Sequence, residues 1–222
     1  MSATPRPLRA DAERNRRLLL DAARELFAQR GLQVTLDDVA HHAGLGVGTA
    51  YRRFGTRETL IDALFDERVR DIVSLAEHAL EVEDAWEGLV GFLERTLALQ
   101  AADRGLKELL LGTSEGREHI ASIREQMRPL ATELVRRAQE AGHLRADFTP
   151  QDMPLLQIML GALIDASQSV EPNLWRRYLA LLLDGMRAHG RPPASKLEVA
   201  PVDWSELDRV LSCWRPPQRR PA

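Results

Sequence analysis

From Leu19 onward, apolar residues recur every three or four positions, and nowhere do they alternate over a strand's length. That pattern predicts helices throughout and no sheet, so the fold class is all-α. A first helix from Asp11 or Glu13 to Gln29 carries Leu19, Ala22, Ala23, Leu26 and Phe27, with Gly31 as its stop. A fourth begins after Gly55-Thr56 and reaches about Leu80, with Leu60, Leu64, Phe65, Val69, Ile72, Val73, Ala76 and Leu80 in one stripe. Helices follow over Trp86–Ala101 and, after a short apolar segment at Leu106–Leu111, over Ile120–Ala141, where Pro129 should kink the helix or set its start. Thr149-Pro150-Gln151-Asp152 opens a helix to about Ser169, and Pro172 precedes another that carries Trp175, Tyr178, Leu179, Leu182 and Met186. These last two are apolar on more than one face, which calls for cover from more than one side.

Residues 35–54 lie between the first and fourth helices and read as two short ones. Thr35 caps the former, with Asp38 three residues on, and Leu36, Val39, Ala40 and Ala43 give it an apolar face. Gly44 stands where it must stop. The latter runs from about Val47 to Phe54, with Val47, Ala50 and Phe54 turned inward. Gly48, Thr49, Tyr51, Arg52 and Arg53 are left outside. Small residues admit another backbone, threonine and tyrosine hydroxyls donate to phosphate, and arginine clamps phosphate or reads guanine with two hydrogen bonds. The pair reads as a helix-turn-helix with double-stranded DNA as its expected partner; the alternative is a helical ligand-binding or enzymatic domain whose N-terminal hairpin is only structural.

Residues 17–64 resemble the N-terminal domain of TetR-family transcriptional regulators. The resemblance lies in Leu20-Asp21-Ala22-Ala23-Arg24-Glu25-Leu26-Phe27-Ala28-Gln29-Arg30-Gly31, then Thr35, Val39-Ala40, Ala43-Gly44, Gly48-Thr49, Tyr51-Arg52-Arg53-Phe54, Arg57-Glu58 and Leu60. The chain departs from the family pattern at Gly46, where serine or threonine is usual, and at Arg57, where lysine is usual; arginine keeps the charge as a planar fork. The resemblance implies a ligand-responsive regulator, a repressor that binds a palindromic operator as a homodimer and leaves it when a small effector binds. It places Thr35, Gly46, Val47, Gly48, Thr49, Tyr51, Arg52, Arg53 and Arg57 at DNA, with Arg52 or Arg53 reading bases and Tyr51 and Arg57 on phosphate. It also puts a second copy of the chain against the last two body helices, through Leu156, Met159, Leu163, Trp175, Leu179 and Leu182.

The expected domains are a flexible arm (1–13), the helix-turn-helix domain (14–60), a ligand-binding and dimerisation body (61–189) and a proline-rich tail (190–222) with one more short helix over 203–214. Net charge is −3, yet residues 1–57 carry ten arginines against six acids, while the remainder carries twenty basic and twenty-seven acidic residues. A basic head on an acidic body suits a protein that brings one end to DNA. An apolar pocket in the body is expected along Phe92, Thr96, Leu109, Met127, Leu130 and Met159, for a mainly hydrophobic effector. Asp37 with His41, and Asp38 with His42, stand four apart but lack a third metal ligand, and the single Cys213 rules out an internal disulfide. No phosphate loop, dinucleotide fingerprint or nucleophile elbow occurs, so neither an enzyme nor a cofactor is expected. The polar N-terminus and the short apolar run Met153–Ile164, interrupted by Pro154 and Gln157, leave no expected signal peptide or membrane span and point to the cytoplasm.

Overall fold

The computed structural model describes residues 6–30, 34–102, 114–188 and 197–213. Among them are nine helices and no strand. They are α1 (Arg6–Arg30), α2 (Leu36–His42), α3 (Val47–Phe54), α4 (Arg57–Glu81), α5 (Ala85–Ala102), α6 (Ser114–Glu140), α7 (Asp152–Ser167), α8 (Leu174–Met186) and α9 (Trp204–Cys213). The apolar segment expected at Leu106–Leu111 lies outside the described residues.

Backbone contacts divide the chain into two units, with the break inside α4 between Val69 and Arg70. The first unit is built on Leu19, Leu20, Leu26 and Phe27 of α1, Val39 and Ala40 of α2, Ala50 and Phe54 of α3, and Leu60, Leu64 and Phe65 of α4. The opening turns of α4 therefore belong to this core, which carries the break past the boundary at residue 60 that the motif suggests. α1 starts at Arg6, so residues 6–13, expected within a flexible arm, are helical.

The second unit gathers Ala76 and Ala79 of α4, Trp86, Leu89, Phe92, Leu93 and Leu97 of α5, Leu134, Val135 and Ala138 of α6, Leu160 and Ile164 of α7, and Trp175, Leu179 and Met186 of α8. α4 and α5 approach closely at Gly88, where a β-carbon would stand 2.4 Å from the Ala79 carbonyl oxygen. α6 runs through Pro129 without ending. The missing N–H is offset by burial of Ala131, Leu134, Val135 and Ala138 on the following turns. At the far end of α6, the Leu144 segment pairs with Arg187 in an isolated antiparallel bridge, and Arg145 N–H donates to the Met186 carbonyl at 3.0 Å.

α9 packs on α6. Leu207 is wholly buried, Asp208 accepts from Arg124 at 3.0 Å and from Arg128 at 2.9 Å, and the Arg128 guanidinium lies 5.3 Å from the Trp204 ring centre.

Candidate nucleic-acid interface

The interface is set by how α2 begins and stops. Thr35 Oγ1 accepts from Asp38 N–H at 3.1 Å, and Asp38 Oδ2 accepts from Thr35 N–H at 3.0 Å, so both halves of the capping box form. The two hydrogen bonds from Thr35 hold the Asp38 carboxyl below its ordinary pKa. After Ala43 the chain turns at Gly44, whose φ of 66° favours glycine, and Leu45 N–H returns to the Ala40 carbonyl at 2.9 Å. Gly46 then caps α3 through its backbone alone. Thr49 N–H donates to its carbonyl at 2.7 Å.

α3 buries Ala50 and Phe54 and half-buries Val47 and Thr49. Gly46, Gly48, Tyr51, Arg52 and Arg53 are exposed, Tyr51 to 50%. Five of the residues expected at DNA thus share one short helix and its cap on the solvent side. Arg52 Nη2 donates to Thr49 Oγ1 at 3.2 Å, which lays the guanidinium along the helix. The Tyr51 phenol is held above its usual pKa by a hydrogen bond to the Asp37 carboxylate on α2. Arg53 Nη2 lies 3.8 Å from Glu13 on α1. The pattern of α3 alone does not reveal Asp37 or Glu13 as partners, because both lie on other elements.

Arg57 and Thr35 stand apart from that face. Arg57 Nε donates to the Val34 carbonyl at 2.8 Å, and its guanidinium sits 5.6 Å from the Phe27 ring centre. It fastens α4 to Val34, the residue before the N-cap of α2. Thr35 is exposed, with its hydroxyl engaged in the cap. Of the groups considered for a metal, His42 Nε2 is 2.7 Å from Glu25 Oε2 on α1, and Asp38 is held in the cap.

In the second unit, Phe92 and Thr96 are buried and Met127 and Leu130 half-buried against the core. Thr96 Oγ1 accepts from Gln157 Nε2 at 2.5 Å, and Gln157 accepts in turn from Gln100 at 2.9 Å, a polar contact between α5 and α7. Met159 is 54% exposed and lines no interior space, and Leu109 lies outside the described residues. A cleft of about 510 Å³ opens instead beside Asp84, Trp86, Glu87, Val90, Gly91, Glu94, His143 and Arg187, none of them in the expected lining.

The expected pairing surface needs correction at two positions. Trp175 and Leu179 are 1% and 2% exposed within one chain, so they hold α8 to its own core and have no surface left for a partner. Met159, Tyr178 and Leu181 are exposed, with Leu156, Leu163 and Leu182 half-buried beside the core.

A helical unit that presents a short, braced helix rich in arginine and small residues defines a helix-turn-helix regulator. Comparison with known proteins takes this further. The model described as bacterial regulatory proteins, tetR family, matches residues 19–64, and that described as transcriptional regulator SbtR-like, C-terminal domain, matches residues 84–188. The crystal structure of a TetR transcription regulatory protein from Mycobacterium vanbaalenii is 34% identical, with a TM-score of 0.65 over 82% of this chain and 99% of that one. The HTH-type transcriptional regulator TtgR of Pseudomonas putida is 29% identical over 161 residues, 64% of this chain and 76% of that protein. The HTH-type transcriptional regulator SAR0097 of Staphylococcus aureus is 32% identical over 89 residues, 39% of this chain. The chain spans about half of that relative, 46% of its length. This chain belongs to the TetR family of transcriptional regulators. No helix among the described residues is long and apolar enough to cross a membrane.

Proposed function

We propose that the protein is a repressor that binds a palindromic operator as a homodimer and leaves it when a small, mainly hydrophobic effector occupies the second unit. The outward face of α3 carries this reading. A β-carbon at Gly48 would meet nothing nearer than Arg52 Nη1 at 3.6 Å, so internal packing does not require glycine there. Glycine inside a helix costs about 1 kcal/mol relative to alanine. A helix that gives up that stability on its exposed face leaves room for a DNA backbone. Arg52 then reads bases, and Tyr51 exchanges Asp37 for a phosphate. Arg57 contributes mainly by holding Val34, since its Nε is already used.

Exposed Met159, Tyr178 and Leu181 on α7 and α8 support pairing of two copies through those helices. A recognition helix of eight residues reads only a few base pairs, and twofold pairing across half-sites doubles the site. The hydrophobic effector is what the family resemblance implies; Phe92, Met127 and Leu130 pack in or against the core of the second unit. Selection from a pool of random duplexes tests the reading. Wild type should enrich an inverted repeat, and Leu181→Asp, which puts a charge on the pairing surface, should sediment as a monomer and lose the paired half-sites. A wild type that enriches no inverted repeat at moderate salt would contradict the proposal.

A further inference from the structure

We propose that the cleft beside Trp86 binds a basic amino acid, a small molecule with one carboxylate and two cationic nitrogens. Its lining residues all belong to the second unit. One wall is α5. Glu87, Val90, Gly91 and Glu94 stand at spacings of three and four, which return to one helix face. Leu89, Phe92 and Leu93 point the other way, into the core, so the cleft lies outside the packed interior. Gly91 is the odd residue on this wall. A β-carbon there would meet no atom within 4 Å, so packing does not require glycine. Gly88 differs, because the Ala79 carbonyl excludes a β-carbon. Glycine inside a helix costs about 1 kcal/mol relative to alanine, and at Gly91 that cost leaves bare backbone where an occupant would lie.

The other wall is made where the chain leaves α6 and α8. Leu144 and Arg187 form the antiparallel bridge, and Ala188 N–H donates to the His143 carbonyl at 2.9 Å. These bonds hold the backbones that carry His143 and Arg187 side by side. The Arg187 guanidinium lies 4.7 Å from the Trp86 ring centre, a stack that orients it without using a carboxylate.

Opposite charges line this cleft without pairing. Among the described residues, Arg187, Glu87 and Glu94 form no ion pair. Asp84 is already in use: it accepts from Trp86 N–H at 2.8 Å and Glu87 N–H at 3.0 Å, with His143 Nδ1 3.9 Å away. Gly88 N–H donates to the Asp84 carbonyl at 2.9 Å. The N–H groups that open α5 are thereby occupied, and Arg187 is left as the anion-binding group of the cleft. What remains is one guanidinium and two carboxylates, the latter two turns apart, about 10 Å along the helix. The complement is a molecule with a carboxylate for Arg187, a cation for each of Glu87 and Glu94, and an apolar chain between them to lie on Val90 and Gly91. Lysine and arginine have that form. The site is separate from the core at Phe92, Met127 and Leu130, and it does not depend on the reading of α3.

Calorimetric titration of the full-length protein with free lysine tests the inference, with leucine and cadaverine as comparators. Leucine lacks the side-chain cation and cadaverine lacks the carboxylate. Wild type should bind one lysine per chain with a Kd of about 1 mM or below, and each comparator at least roughly tenfold more weakly, the loss of one charge-assisted hydrogen bond. Gly91→Leu fills the wall. It should abolish binding yet unfold at or above the wild-type temperature, since leucine is the better helix former. Arg187→Gln leaves α5 untouched and should bind lysine and cadaverine alike; if Gly91→Leu does not fold, this variant decides. Absence of saturable lysine binding overturns the inference. So does a folded Gly91→Leu protein that binds lysine as wild type does, which puts the ligand elsewhere. Leucine or cadaverine bound by wild type as tightly as lysine overturns the assignment of charges.

Discussion

Thr35 and Asp38 decide where the helix-turn-helix begins. Their bonds span three residues, so they are legible in the sequence, and the structure forms both. Thr35→Ala should cost about 1 kcal/mol of stability in the first unit, the usual effect of losing an N-cap. The carboxyl partner adds a pH signature. Thr35 hydrogen bonds lower the folded pKa of Asp38 beneath its unfolded value, so its stabilising contribution is complete above that unfolded value, about 3.9. It is lost as pH falls through the lower folded pKa. Thermal unfolding of wild type and Asp38→Asn between about pH 6 and 3 should show the gap between them closing toward the acid end. A gap that stays constant would remove the charge from the cap. Other residue roles are not local. Arg57 meets Val34 across 23 positions, so the motif, which puts it on phosphate, does not show that its Nε is engaged internally.

At the scale of elements, periodicity places helices well and their neighbours poorly. α3 occupies Val47–Phe54, as its apolar triad predicts. α1 starts earlier than expected because its opening turns carry no apolar stripe, the signal by which a helix is read. Trp175 and Leu179 read as partner contacts because α8 is apolar on more than one side, and periodicity does not say which side meets the chain's own core. The docking of α9 depends on Arg124, Arg128 and Asp208, separated by 80 residues or more, and no local rule joins them. Gly88 is a similar case. Its sequence neighbourhood gives no reason for glycine, but the Ala79 carbonyl leaves no room for a β-carbon. Gly88→Ala should force α4 and α5 apart and destabilise the second unit by about 1–3 kcal/mol, the usual cost of overpacking, despite alanine's better helix propensity. Denaturant unfolding checks this; a stabilised variant would mean that the two helices separate at little cost.

For the whole molecule, the sequence separates a basic head from an acidic body, and the structure gives each its own hydrophobic core. The family was legible because its motif is local and dense: the residues that cap and turn α2 and α3 lie within twenty positions, and the rest of the matching residues lie between Leu20 and Leu60. The body was legible only as helices, since ligand and partner surfaces there are made by side chains brought together from distant elements. The claim on which the function turns is that the outward face of α3 lies on DNA. Its most direct test is the affinity of Tyr51→Ala and Arg52→Ala for the duplex that wild type selects, measured beside thermal unfolding. Loss of a bidentate base contact costs about 1–3 kcal/mol, so Arg52→Ala should bind roughly ten- to hundredfold more weakly and tolerate base changes at one position of each half-site. Tyr51→Ala should weaken binding with the base preference intact, and both variants should unfold at the wild-type temperature. Wild-type affinity retained in both would contradict the placement of this face on DNA.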